Sequence, residues 1–199
     1  MTKANSSDVF VHHPDGNDSK CAQQLRSHLI NMLELAEDLF GWRDCWYRCV
    51  GIEFHGADSK LRYLSRPERD GVNIIIRLSQ SAIRNMSQAC FEMAHETVHL
   101  LAPTGSQNVT NLQEGLACFF SVYYMKTILN EPKWCYTKEN QRRMLELITP
   151  RLEEDRYCIK RLRGHQRWFQ RMNKEDIRRV IPELTVEDAW FLTSEFVRT

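Results

Sequence analysis

No run of eighteen apolar residues occurs in this 199-residue chain, so the sequence offers no membrane-spanning helix. Its first ten residues, MTKANSSDVF, hold no apolar segment of the kind a secretory leader carries. Charge of one sign is missing too: 27 Lys and Arg stand against 26 Asp and Glu, a formal net charge of +1. A chain so balanced projects no global field toward nucleic acid or an anionic surface. The seven cysteines, at positions 21, 45, 49, 90, 118, 135 and 158, include no CxxC pair. Their odd number, without an export signal, fits reduced thiols in a cytoplasmic protein better than a disulfide framework or a structural zinc site. Repeats and low-complexity linkers are absent, and one domain is the simplest reading of this length.

Apolar spacing divides what is present. Leu25, Leu29, Met32, Leu33, Leu35 and Phe40 recur every three or four residues and predict a helix from Ser19 to Phe40, stopped by Gly41. Three strands are expected next, Val50 to Phe54, Leu61 to Ser65 and Val72 to Leu78, the last rich in β-branched residues. Asn73 and Arg77 give that third strand a mixed face, which suits a sheet edge. An edge beside an active-site helix can take up an extended peptide by backbone pairing, which makes Asn73, Ile74, Ile75 and Ile76 candidate substrate-binding positions. An ordinary edge without ligand is the alternative.

Ile83, Met86, Cys90, Ala94, Val98 and Leu101 form the apolar stripe of a helix opened by Ser79 or Ser81 and ended by Pro103. Thr110 or Asn111 caps the next helix, which carries Leu112, Leu116, Phe119 and Phe120. Beyond Asn130, Pro132 and Pro150 bound a helical stretch, and Thr185 to Asp188 resembles a capping box opening a last helix with Trp190, Phe191 and Phe196. The expected architecture is α+β. A polar segment at 1–18, mobile or loosely docked, precedes a core at 19–130 with a small sheet and two active-site helices, and a helical C-terminal extension at 131–199 packs on that core.

The second of these helices contains His95, Glu96, Thr97, Val98 and His99, reading HETVH. Histidines four apart on a helix sit about 40° apart around its axis and roughly 6 Å along it, so both imidazoles can reach one ion. Glu96 projects beside the pair, where it can reach an activated water without ligating the metal. This is the H-E-x-x-H arrangement of zinc peptidases. Catalytic zinc takes three protein ligands and keeps one open position, so a third ligand is required. Helices joined by a short loop pack antiparallel, which returns the first turn of the following helix, with Glu114, toward His95 and His99. From the residues alone, Glu114 is either that ligand or a first-turn glutamate serving the helix end.

HETVHLL, a short turn and EGLACFF together resemble the ImmA/IrrE family of metallopeptidases, whose second helix carries a Glu-x-x-Ala-x-x-Phe pattern. Glu114, Ala117 and Phe120 occupy that pattern, and Val72 to Leu78 resembles the strand before the family's active-site helix. The likeness spans residues 50–125. Past Ala117 the chain departs from it, with Cys118 and SVYYM in place of a small or polar residue and a closing proline. The resemblance implies a zincin-like core, Zn²⁺ held by His95, His99 and Glu114, and Glu96 as general base. It also implies a cytoplasmic endopeptidase of limited specificity acting on a protein or peptide, with a regulatory protein as a fitting target.

Such chemistry calls for one more donor to the oxyanion, and Tyr123, Tyr124, Tyr157 and His165 are the candidates. Glu92 is a candidate acceptor for the second nitrogen of a ligand imidazole. Two rival readings exist. Arg156, Lys160, Arg161, Arg163, Arg167 and Arg171 form a basic run with Trp168 and Phe169 among them. Such a run can bind nucleic acid, although a solvated helix face balanced by Glu153, Glu154 and Asp155 explains it more simply. The other rival is a metal-containing regulator without peptidase activity. The oligomeric state is not legible.

Overall fold

The computed structural model describes residues 9–12, 19–64, 71–105 and 109–197. They form a mixed α+β fold: strand β1 (Phe10–His12), helix α1 (Ser19–Phe40), strands β2 (Tyr47–Phe54), β3 (Lys60–Tyr63) and β4 (Val72–Leu78), and helices α2 (Met86–Leu101), α3 (Asn111–Thr127), α4 (Glu139–Glu154), α5 (Cys158–His165), α6 (Lys174–Val180) and α7 (Val186–Thr193). No helix among the described residues is long and apolar enough to cross a membrane.

The strands lie in the order β1-β2-β4-β3. β1 and β4 each pair with β2 in parallel, and β3 runs antiparallel to β4. The expected edge is therefore an interior strand. Asn73 pairs with Arg48, and Ile74, Ile75 and Ile76 are engaged on both sides, by β2 and by β3. With both backbone edges occupied, Asn73, Ile74, Ile75 and Ile76 cannot receive a peptide strand. The physical reason is that alternation along a strand reports its two faces and says nothing of its edges. Arg77 belongs to an ion cluster across the outer face, where Glu53 of β2 accepts from Arg77 at 2.9 Å and from Arg62 of β3 at 3.0 Å. The edges among the described strands are β1 and β3.

Phe10–His12 was not expected as a strand, because three residues are too few to show a period. Its place is secured by neighbours: Arg26 Nε donates to Val9 O at 2.6 Å, and the Phe10 ring covers Gly51, where a Cβ would stand 2.6 Å from it. The Pro14-Asp15-Gly16 turn lies outside the described residues. On the inner face, Ile52, Ile74, Ile76 and Leu78 join Leu25, Leu29, Met32 and Ala36 of α1 and Cys90, Met93, Ala94 and Val98 of α2 in one buried cluster.

The C-terminal helices belong to that same cluster through Ile148, Ile159, Leu162, Phe169, Ile177 and Leu192. Gly115 lets α4 approach α3 closely, since a Cβ there would lie 2.9 Å from Met144 Cβ. Pro150 does not end α4, which runs on to Glu154; Pro150 and Glu146 one turn earlier are both exposed, so water can replace the missing helix bond. Arg163 of α5 is buried and donates to Phe40 O, Gly41 O and Leu101 O, joining the ends of α1 and α2. Phe196 lies past the end of α7, not on it. There the chain is extended, with Asn111 N donating to Ser194 O at 2.9 Å and Phe196 N to Val109 O at 2.7 Å.

Candidate metal centre

Helix α2 begins later than serine caps would have it. Ser79 precedes and Ser81 lies within a 3-10 turn at Gln80–Ala82, and Asn85 caps α2 by accepting from Gln88 N. From Ala89 onward α2 is buried on nearly every side, including Cys90, Ala94, Val98 and Leu101 of the expected stripe. A helix end buried this deeply must have its last carbonyls satisfied by other groups. Leu101 O accepts from Asp44 N and from Arg163, and Ala102 O accepts from the buried Gln113 at 3.2 Å and from Gln170 at 3.4 Å. Gln113 immediately precedes Glu114, so the bond that closes α2 also sets where the first turn of α3 stands. Thr110 caps α3 by accepting from Gln113 N.

This packing brings His95, His99 and Glu114 together, 8, 9 and 5 % exposed. Their Nε2 atoms are 3.1 Å apart, and each is 3.5 Å from Glu114 Oε2. Ligands about 2.0–2.1 Å from one tetrahedral ion would stand about 3.3 Å from each other. The separations fit that requirement, and the group can hold a metal ion. Two imidazole nitrogens and a carboxylate oxygen are donors that zinc accepts, as do iron, nickel and copper. Burial alone would raise the Glu114 pKa, but the His95 and His99 imidazoles outweigh it and hold the carboxyl well below the usual range. Burial alone would lower the His95 pKa, and its neighbours Tyr136 and Glu114 raise it well above the ordinary value instead.

Glu96 is buried beside the pair, and its Oε1 accepts from Ser59 Oγ at 2.8 Å. Ser59 sits in the loop between β2 and β3, and no motif marks it. A cleft of about 370 Å³ opens here, lined by Ser59, His95, Glu96, Glu114, Tyr136 and Phe196 among others. Tyr136, in the segment between α3 and α4, places its hydroxyl 3.0 Å from His95 Nδ1. A single tyrosine outside any periodic pattern gave the sequence no signal.

The four candidates for the oxyanion donor are elsewhere. Tyr124 is fully buried and bonded to His28 Nδ1 at 3.0 Å. Tyr123 stacks on Phe119 in an apolar hollow between α1, α3 and α4. Tyr157 is exposed beneath Arg156 and Lys160, and His165 is exposed at the end of α5. None lines the cleft, so Tyr123, Tyr124, Tyr157 and His165 are set aside. The side of α3 toward His95 carries Glu114 and Ser121, and Tyr123 and Tyr124 have their partners elsewhere. Glu92 is not bonded to an imidazole either; it accepts from Ser79 N and Ser79 Oγ at 2.7 and 2.6 Å.

The basic run is largely met by partners within the chain. Arg156 and Lys160 face Asp38, Arg161 pairs with Asp155, Arg163 is buried, and Arg167 pairs with Asp44 while lying 3.7 Å over the Trp42 ring.

Comparison with known proteins finds no matching family model, no matching curated protein and no matching solved structure.

Proposed function

We propose that this chain is a zinc-dependent endopeptidase with a zincin-like core. The observation that carries the reading is the convergence of His95, His99 and Glu114 at ligand-to-ligand distances suited to one ion, with the Glu96 carboxylate on the same cleft. The resemblance of HETVHLL and EGLACFF to the ImmA/IrrE family supports it. A zinc ion held by these three residues would supply a Lewis acid that acidifies water toward a pKa of about 7 and polarises the scissile carbonyl.

The remaining work belongs to the chain. Ser59 donates to Glu96 Oε1, which leaves Oε2 to accept a proton from the attacking water. The same carboxyl then delivers that proton to the departing amine, so Glu96 ends the cycle as it began. The edge of β3, unpaired among the described residues, replaces β4 as the proposed docking strand. It adjoins the Ala57-Asp58-Ser59 wall of the cleft, and an extended peptide pairing there would run past Glu96.

The test is metal stoichiometry by elemental analysis, together with hydrolysis of a mixed peptide pool read by mass spectrometry. The wild type and Glu96→Gln should each carry about one zinc, and only the wild type should cleave. His99→Ala and Glu114→Ala should lose metal and cleavage together. A folded wild type that takes up no zinc, or Glu96→Gln cleaving at the wild-type rate, refutes the reading.

A further inference from the structure

We propose that Tyr136 is a positioning residue for the metal ligand His95, and that the segment 130–138 is a strap whose docking is coupled to metal occupancy. This rests on the metal-site reading above.

The hydrogen bonds around Tyr136 have a direction. Ser121 Oγ donates to Ala117 O at 2.8 Å, which commits its proton to the helix backbone. It can therefore only accept from Tyr136, whose hydroxyl donates to it at 3.2 Å. With that proton committed, the Tyr136 oxygen faces His95 Nδ1, 3.0 Å away, as an acceptor. The bond is made only if the imidazole carries its hydrogen on Nδ1. That tautomer leaves the Nε2 lone pair pointing at His99 and Glu114, the arrangement a metal ligand needs. The chain Ala117–Ser121–Tyr136–His95 thus selects one tautomer and one ring orientation.

His99 has no equivalent among the described residues. There its Nδ1 is buried with no hydrogen-bond partner, so the two ligands are held unequally, and Tyr136, with the Cys118 thiol also bonded to His95, carries the orienting role. Glu92, one turn before Glu96, is occupied by Ser79.

The strap is fastened to α2 along the length leading to His95. Asn130 turns the chain out of α3 with φ +55°. Glu131 then accepts from Ser87 Oγ in the first turn of α2 at 2.6 Å, and from Trp134 Nε1 at 2.8 Å. The Trp134 and Tyr136 rings both pack on Phe91, at 4.9 and 5.0 Å between centroids. Phe91 is one turn before His95. A metal on Nε2 holds the ring in place with its Nδ1 hydrogen toward Tyr136, so occupancy favours the docked strap. By linkage, the docked strap favours occupancy to the same degree.

The experiment measures Zn²⁺ affinity of the full chain by chelator competition in wild type, Tyr136→Phe and Ser121→Ala. It also follows amide hydrogen exchange across 131–137 with and without zinc. Tyr136→Phe keeps the ring on Phe91 and should weaken zinc by about tenfold or more. Ser121→Ala leaves the phenol in place and should weaken it less, in the same direction. Zinc should slow exchange across the strap in wild type and fail to do so in Tyr136→Phe, a readout that loss of packing alone would not produce. Wild-type affinity in both variants, or equal zinc protection of the strap in Tyr136→Phe, overturns the proposal. A wild type that binds no zinc overturns the metal-site reading itself, and the two failures are thereby distinct.

Discussion

Replacing Arg163 by Met should destabilise the whole fold, although no part of the cleft is touched. Arg163 is 3 % exposed, and burial pushes its pKa down to about 10, so it remains charged at neutral pH. Its guanidinium donates to Phe40 O at 3.1 Å, Gly41 O at 3.2 Å and Leu101 O at 3.3 Å. Leu101 O also accepts from Asp44 N, whereas Phe40 O and Gly41 O stand at the end of α1, beyond the reach of an intrahelical donor. Two bonds from a charged donor are worth about 1.5–3 kcal/mol each. Met escapes part of the cost of burying a charge, which returns some of that loss. The net expectation is a destabilisation of about 2–4 kcal/mol. With a urea slope of about 2 kcal/mol/M, the unfolding midpoint of the zinc-free protein should fall by about 1–2 M. Arg163→Lys keeps the charge without the fork and should fall between the two. A Met variant within about 0.5 kcal/mol of wild type would refute the claim that this guanidinium joins the ends of α1 and α2.

Three further outcomes follow from the geometry. Gly115→Val would set side-chain atoms against Met144 Cβ and Ile148 Cδ1, which a Cβ alone already approaches to 2.9 and 3.2 Å; urea unfolding should show a loss of about 2–3 kcal/mol, with Gly115→Ala far milder because its helix propensity offsets about 1 kcal/mol. Glu114→Gln should lower zinc affinity by more than the roughly 10–100-fold typical of outer hydrogen-bond partners, read by chelator competition. In the zinc-free protein, the lowered Glu114 pKa contributes stability that is present above its ordinary 4.5 and lost as pH falls. The raised His95 pKa contributes stability that is full below 6.5 and lost as pH rises through its folded value. Thermal midpoints measured in chelator should therefore peak between those two values, and a midpoint still climbing from about pH 6.5 to 8.5 would contradict the assignment.

How much was legible depends on the range of the interaction. α1 at Ser19–Phe40 and β4 at Val72–Leu78 have the expected bounds, because each carries an unbroken apolar period and a clear stop. α2 starts at Met86 and not at Ser79 because a 3-10 turn intervenes, and serine spacing cannot tell one from the other. The Thr185 cap was readable as a local bond to Asp188 N. Phe196 was misplaced, since its extended conformation depends on pairing with Val109, far away in sequence.

The sequence alone determined what can be set by spacing along one helix: that His95 and His99 share a face and that Glu96 lies beside them. It also made Glu114 available at the start of the next helix. Only the tertiary structure decided that the three ligand atoms converge, because that distance depends on how α3 stands against α2, where Gln113 bonds Ala102 O at the end of α2. It alone put β4 inside the sheet, since strand order is fixed by pairing and not by the pattern within a strand. It alone brought Ser59 to Glu96 and Tyr136 to His95, through hydrogen bonds between residues 37 and 41 positions apart that leave no periodic trace.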